Sequence, residues 1–412
     1  MKLWRNTLWN LLGHVIPALV VLPAMALMAR LLGVEKFGLF MLTFAVLGYA
    51  GIFDAGITRA IIRSIAINKG QLEKDRAVMG TALWIVLFLS APACAFVYFG
   101  AEHIVHWLKV TPSMVADANS AFQMTAFVVP PMLLAAILFS YLEGAQQFVK
   151  LNVYKAITGP IASLLPALFL FIEPTLTNAL IGLLIARVII LIIAYISCVL
   201  NLGPNIFSFQ PQILRELFAF GSWMTLSNII GPLMVYFDRF ILSNFLGASR
   251  VAFYTAPAEA ITKLSLIPGA LARAIFPLFS ENQHKSSAIA SQVYKGLFIA
   301  TIAIALPVFL AADDLLNLWL GDPYGNESAG VFRILLVGFM FNSLAQIPFA
   351  RIQAHGKAKI TAMIHLVELV PYLAVLASLI YCCGIHGAAI AWTLRVTADF
   401  FAMEYFSRQL ES

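Results

Sequence analysis

Long apolar runs separated by short polar breaks set the pattern of this chain. Twelve runs reach the length of a membrane span: 8–32, 37–62, 77–100, 120–143, 152–172, 178–200, 217–243, 251–279, 289–312, 329–350, 358–382 and 386–407. A span needs about 20 apolar residues, because the hydrocarbon layer is ~30 Å thick and a helix rises about 1.5 Å per residue. Prolines stand inside several runs (Pro17, Pro23, Pro130, Pro166, Pro232, Pro257, Pro268, Pro307 and Pro371). Within a membrane bundle these are tolerated and mark bends, since neighbouring helices re-satisfy the freed carbonyls.

The runs repeat. The stretch Gly221 to Tyr254 is an apolar run that closes on Asp238 and Arg239, a break from Gly247 to Arg250, and a new apolar run. Its design matches the start of the chain. WNLLG (Trp9 to Gly13) answers SNIIG (Ser227 to Gly231), and LLGVEKFGLF (Leu31 to Phe40) answers FLGASRVAFY (Phe245 to Tyr254). TRAII (Thr58 to Ile62) answers ARAIF (Ala272 to Phe276), HWL (His106 to Leu108) answers LWL (Leu318 to Leu320), and Arg187-Val188 answers Arg395-Val396. The offset drifts from 218 through 214 and 212 to 208 residues, as two copies with small deletions require. The expected fold is therefore an all-α integral membrane protein of two six-helix lobes, 1–205 and 206–412. Six spans is an even number, so both copies cross the membrane in the same direction. They are parallel repeats about an axis along the membrane normal, with a central cavity between the lobes.

Composition agrees: 61% of residues are hydrophobic and 11% charged, against roughly 25% charged in a soluble domain. The formal charge of +6 is spread along the chain and leaves no footprint for nucleic acid. Cys94, Cys198, Cys382 and Cys383 all fall in apolar runs, with no zinc or redox spacing, and read as small hydrophobes. Lys2, Arg5 and the triplet Ala24-Met25-Ala26 imitate a secretory signal. The apolar run nevertheless continues to Leu32 and the repeat uses both sides of the supposed cut, so it reads as span 1. With both termini in the cytoplasm, sixteen Lys and Arg residues fall inside and six outside, while the outer loops carry Asp313, Asp314, Asp322 and Glu327. That is the positive-inside distribution.

The Asn-containing first span, the L-G-x-x-x-x-[GA]-x-[FY] hinge after it and the Asp-Arg end of span 7 resemble the polysaccharide-unit (O-antigen) flippases, relatives of the multidrug and toxic-compound extruders. The resemblance covers nearly the whole chain through dispersed positions. It implies a V-shaped cationic cavity and transfer of an undecaprenyl-pyrophosphate-linked oligosaccharide across the bacterial inner membrane. It also implies a proton or sodium ion as coupling ion with no other cofactor. The partners it implies are the lipid-linked oligosaccharide, membrane lipids, and contact with a polysaccharide polymerase and a chain-length regulator.

Charge inside a span is costly and marks function. Four charges fall near the midplane: Arg187, Lys263, Glu368 and Arg395. Glu259 precedes Lys263 by four residues and Asp399 follows Arg395 by four, so each pair can close within its own helix. Arg187 and Glu368 have no such neighbour. Either they reach each other and lock the bundle, or Arg187, Lys263 and Arg395 attract a pyrophosphate while Glu368 takes the coupling proton. At the inner mouth, Arg59 and Arg273 occupy equivalent positions in the two halves and suit a pyrophosphate; Arg63 reads as a headgroup contact. Asp54 either pairs with Arg59 or joins ion coupling. Asp238 reads as an outer gate and Arg239 as an interfacial anchor.

Enzyme chemistry finds little footing. There is no phosphate-binding loop. No third ligand completes a metal site with His103 and His106, and they read, with Trp107, as an interfacial segment. A drug extruder with an anionic cavity is the alternative reading. A major-facilitator transporter is imitated by Gly70, Leu72, Asp75 and Arg76, without the basic tail of that signature and with a short central loop, about 201–216.

Overall fold

A computed structural model describes the backbone of residues 2–54, 56–68, 70–281 and 286–409, and the side chains in those ranges except 2–15, 220–232, 273–278, 280–289 and 358. Among the described residues every regular element is helical. In chain order these are α1 (Lys2–Ala50), α2 (Ile57–Asn68), α3 (Leu72–Trp107), α4 (Val115–Gly144), α5 (Phe148–Phe169), α6 (Leu176–Leu202) and α7 (Pro211–Leu246). Then come α8 (Ala248–Leu264), α9 (Leu266–Glu281), α10 (Ser286–Leu310), α11 (Ala312–Leu320), α12 (Asp322–Ala354) and α13 (Ala358–Gln409). A chain in hydrocarbon has no water to satisfy its backbone, so the helix is the default.

Among the described residues, seven helical stretches are long and apolar enough to cross a membrane. Two of them hold two spans each, because α1 breaks at Gly33 (φ 73°, ψ 171°) and α13 at Gly384 (φ 59°, ψ −135°). The remaining spans are α5, α7 and the α8–α9 pair, which gives the twelve expected from the sequence. Span 2 is not continuous. A 3-10 turn, Gly51–Asp54, and Gly56 with φ 71° separate the end of α1 from α2. Span 8 is likewise split at Ser265.

The two copies share their backbone breaks. Gly33 and Gly247 both have positive φ and extended ψ, 73°/171° and 87°/162°. Lys109 (φ 50°) stands 212 residues before Gly321 (φ 104°), and Gln146 (φ 55°) stands 210 before Gly356 (φ 73°). Left-handed backbone is uncommon outside glycine. Its recurrence at offsets of 214, 212 and 210 follows the drift of the sequence repeat.

The chain forms two compact units, Met1–Phe240 and Ile241–Ser412. In the first, α4 packs against α2, α3 and α6, and α1 against α5. In the second, α12 is the central helix and meets α8, α9, α10, α11 and α13. The span windows of α4 and α12 are 61% and 56% buried, against 17–39% for the other five, so spans 4 and 10 are the equivalent cores of the two copies.

The central linker is strapped to α3. Four α3 side chains or gaps on one face receive it: Arg76 Nε donates to the Leu202 carbonyl at 2.5 Å, Trp84 Nε1 to the Phe207 carbonyl at 3.1 Å, and Thr81 Oγ1 accepts from the Gln210 N–H at 3.0 Å. Between them Gly80 leaves room for the Ser208 backbone, which a methyl would strike. Asp75 is buried beside Arg76 and accepts from Asn68 Nδ2 at 3.1 Å. The residues that imitate a major-facilitator signature thus tie α2, α3, α6 and the linker together within the first unit. Gly80→Val is expected to lift 203–210 off α3, an overpacking cost of roughly 1–3 kcal/mol. Chymotrypsin should then cleave after Phe207 and Phe209 several times faster. Gly100→Ala should leave the rate unchanged, since its methyl would meet only Ile104 Cδ1 at 3.9 Å.

Candidate functional site

The kink at Gly384 turns α13 into a hairpin of two spans. Residues equally far from the bend come to the same depth. Tyr372 and Arg395 lie twelve and eleven residues from Gly384, roughly 17 Å along their arms. Glu368 and Asp399 lie sixteen and fifteen residues away, about 23 Å. The side chains meet accordingly. The Arg395 guanidinium sits over the Tyr372 ring, with Cζ 5.3 Å from the centroid. The carboxyls of Glu368 and Asp399 interact with each other and with Arg395. His365 Nε2 lies 3.6 Å from Asp399 Oδ1.

This corrects one pairing read from the sequence. Arg395 and Asp399 do not close a salt bridge along their helix; Arg395 turns to Tyr372 on the facing arm and Asp399 to His365. Spacing of four makes an intrahelical pair possible, but the facing arm supplies closer partners. Arg395 Nε and both Glu368 oxygens are buried without a hydrogen-bond partner among the described residues. The other intrahelical pair is present: Lys263 Nζ lies 3.5 Å from Glu259 Oε2 in α8. His365 and Tyr372 escaped the sequence reading. Equidistance from the glycine break, together with polar residues in an apolar run, is the signal that finds them.

In the first unit, Arg187 stands near the middle of α6, between Ala186, Leu183 and Ile190 of the helix's buried stripe. Its Nε is buried and has no hydrogen-bond partner among the described residues. The α6 helix packs on α4 and α5. A guanidinium held in an apolar bundle is costly.

The arginines of the inner mouth differ in setting. Arg59 and Arg63 share the exposed face of α2, whose opposite face buries Ile57, Ile61 and Ile65. Arg59 Nη1 lies 3.9 Å from Glu143 Oε1 at the end of α4, not against Asp54. Asp54 instead caps α2: its Oδ1 accepts from the Thr58 N–H at 3.1 Å and from Thr58 Oγ1 at 2.9 Å. The side chain of Arg273 lies outside the described residues.

Asp238 and Arg239 are 5% and 4% exposed, so Arg239 is no exposed interfacial anchor. Its guanidinium lies over the Tyr236 ring, Cζ 5.1 Å from the centroid, and its own N–H donates to Asp238 Oδ1 at 2.7 Å. Tyr49 packs edge-on against Tyr236 and Phe240. Beside them an apolar cavity of about 260 Å³ is lined by Val46, Tyr49, Phe53, Phe96, Phe237 and other apolar residues. Among the described residues no three His, Cys, Asp or Glu side chains gather to hold a metal. Cys382 and Cys383 are exposed and Cys198 is buried, so the small-hydrophobe reading holds as burial only for the latter.

Comparison with known proteins places this geometry in a lineage. A family model described as "Polysaccharide biosynthesis protein" matches residues 3–283. A Shigella flexneri protein named "Putative O-antigen transporter" is 40% identical over 410 residues, covering 98% of this chain and 97% of that one. Among solved structures, the lipid II flippase MurJ in an inward closed conformation matches with a TM-score of 0.82 at 12% identity, over 97% of this chain and 87% of that one. An inward-facing MATE family multidrug resistance transporter of the MOP superfamily matches with 0.77 at 15% identity, over 98% and 94%. At such identities these likenesses fix the fold. Together with the 40% identical relative and the family model, they agree with a multi-pass membrane transporter rather than an enzyme. The chain, with this fold and a 40% identical relative over nearly its full length, belongs to the polysaccharide biosynthesis protein family.

Proposed function

We propose that this protein is a flippase that moves oligosaccharide repeat units, linked to undecaprenyl pyrophosphate, from the cytoplasmic to the periplasmic leaflet of the bacterial inner membrane. The product feeds O-antigen or exopolysaccharide assembly. The observation that carries the reading is a pair of arginines at equivalent positions of the two copies, Arg187 and Arg395. Each has a buried Nε without a hydrogen-bond partner among the described residues. Hydrocarbon does not tolerate such a charge without a reason, and a pyrophosphate supplies the planar, doubly accepting partner that guanidinium fits. Lys263, Arg59 and Arg273 add positive charge along the route, Asp238 closes the outer end, and both termini face the cytoplasm.

Coupling falls to the acidic group of α13. Glu368 takes the coupling ion, a proton or a sodium ion, in an alternating-access cycle. Asp54 has its carboxylate engaged by Thr58, which makes it the weaker candidate. A polymerase and a chain-length regulator are the partners that would receive the product. The same acids support a second reading, a cation-coupled drug extruder, since Glu368 and Asp399 could meet a cationic drug.

Binding by the purified protein in nanodiscs separates the two. Wild type is expected to bind the undecaprenyl-pyrophosphate oligosaccharide, and Arg187→Ala to bind it about 10- to 100-fold more weakly, the worth of one or two hydrogen bonds to a charged group. Drug binding without carrier binding would move the protein to the extruder reading. In proteoliposomes, Arg187→Ala should abolish flipping at normal expression and folding; full flipping would end the proposal. Replacing both Arg59 and Arg273 by Lys should weaken carrier affinity while keeping the charge, because Lys cannot offer paired donors. Glu368→Gln should leave flipping insensitive to an imposed ion gradient, measured in the same vesicles.

A further inference from the structure

The hairpin of α13 holds more than one candidate acid. His365, Glu368, Tyr372, Arg395 and Asp399 come from two spans and meet at two adjacent levels, set by their distances from Gly384. Several charged residues on α8, on α12 and at the end of α13 have other partners. On α8, Glu259 and Lys263 pair with each other. On α12, Arg333 pairs with Asp313, and Arg351 stands near Tyr294. Further along α13, Glu404 accepts from Tyr294 Oη at 2.5 Å and from Arg408 Nε at 2.7 Å. These named neighbours are engaged away from the hairpin group, whose own charges face one another.

Its composition sets that balance. Arg395 is always charged. With both carboxyls ionised and His365 neutral, the group carries one net negative charge. One proton, held on Glu368, Asp399 or His365, brings it to zero, the state that a low-dielectric setting favours. A phosphate anion bound to Arg395 disturbs this. The guanidinium then serves the ligand, and the two carboxyls lose their counter-charge in the presence of a new negative neighbour.

We infer that His365, Glu368, Asp399 and Arg395 act as one proton-binding unit that takes up a proton from water when a pyrophosphate group occupies Arg395. The inference rests on the substrate reading above and adds His365 and Asp399 to the coupling machinery, with His365 as a positioning residue for Asp399. It also fixes the sign of the linkage. Anion and proton bind together, the proton acting as counter-charge, whereas in a drug exchanger a proton would compete with a cation. Reciprocity requires that protonation tighten anion binding. Carrier affinity should therefore fall with rising pH, by up to about tenfold per pH unit where one proton is fully linked.

The test is direct. Undecaprenyl pyrophosphate is added to the full-length protein in nanodiscs, in weak buffer with a pH-indicator dye, and protons taken up per bound carrier are counted against empty nanodiscs. Wild type should take up a proton fraction approaching one. Glu368→Gln and Asp399→Asn should each lower the uptake per bound carrier to less than half, and Glu368→Asp should restore it. His365→Gln should shift the pH at which uptake occurs. Should the variants fold poorly, the infrared C=O stretch of a protonated carboxyl, gained by wild type on carrier addition, reads the same event without substitution. Carrier binding with proton release, with no uptake, or with no carboxyl band overturns the inference alone. Uptake unchanged in both acid variants also overturns it. No carrier binding by wild type overturns the substrate reading on which it stands.

Discussion

Hydrocarbon offers no hydrogen bonds, and the organisation of this protein follows from that constraint. Every backbone polar group must be satisfied inside the chain, so the described residues form helices and concentrate their irregular backbone at a few points. Those points are left-handed breaks, mostly at glycine. Where a non-helical stretch does run beside a span, as at 203–210, its carbonyls and amides are met by Arg76, Trp84 and Thr81. The same scarcity of partners makes each charge within a span conspicuous.

Glycine breaks do more than end helices. The bend at Gly384 sets two apolar arms side by side and brings to one level residues more than twenty positions apart in sequence. Tyr372 meets Arg395, and His365 meets Asp399. A group of opposite charges is thereby assembled from two spans that each look nearly uniform. The corresponding stretch of the first copy has Arg187 at the position of Arg395, without acids of its own in α6. The copies share a frame and differ in charge.

The polar groups of the first unit show why burial has to be seen and not assumed. Asp54 looks like an intramembrane acid, yet its carboxylate closes the first turn of α2 through Thr58. Arg239 looks like a surface anchor, yet it is buried over Tyr236. Arg59 finds Glu143, which is distant in sequence, in place of the nearby Asp54. Arg59 takes its partner from a second helix; Asp54 and Arg239 find theirs within a turn of themselves, at positions whose burial the sequence does not show.

The sequence by itself determined the class, the number of spans, the repeat and the helices that carry Arg187, Lys263, Glu368 and Arg395. These depend on apolar run length, offset and distance along a helix, all of which are one-dimensional quantities. It also determined the Glu259–Lys263 pair, because a separation of four along one helix is itself a spatial statement. Only the tertiary structure decided that Asp399 turns to His365 and Arg395 to Tyr372, that Glu368 joins them, and that the linker lies on α3. Those contacts depend on which face one helix offers another, and a run that is apolar almost all round does not encode that face in its pattern.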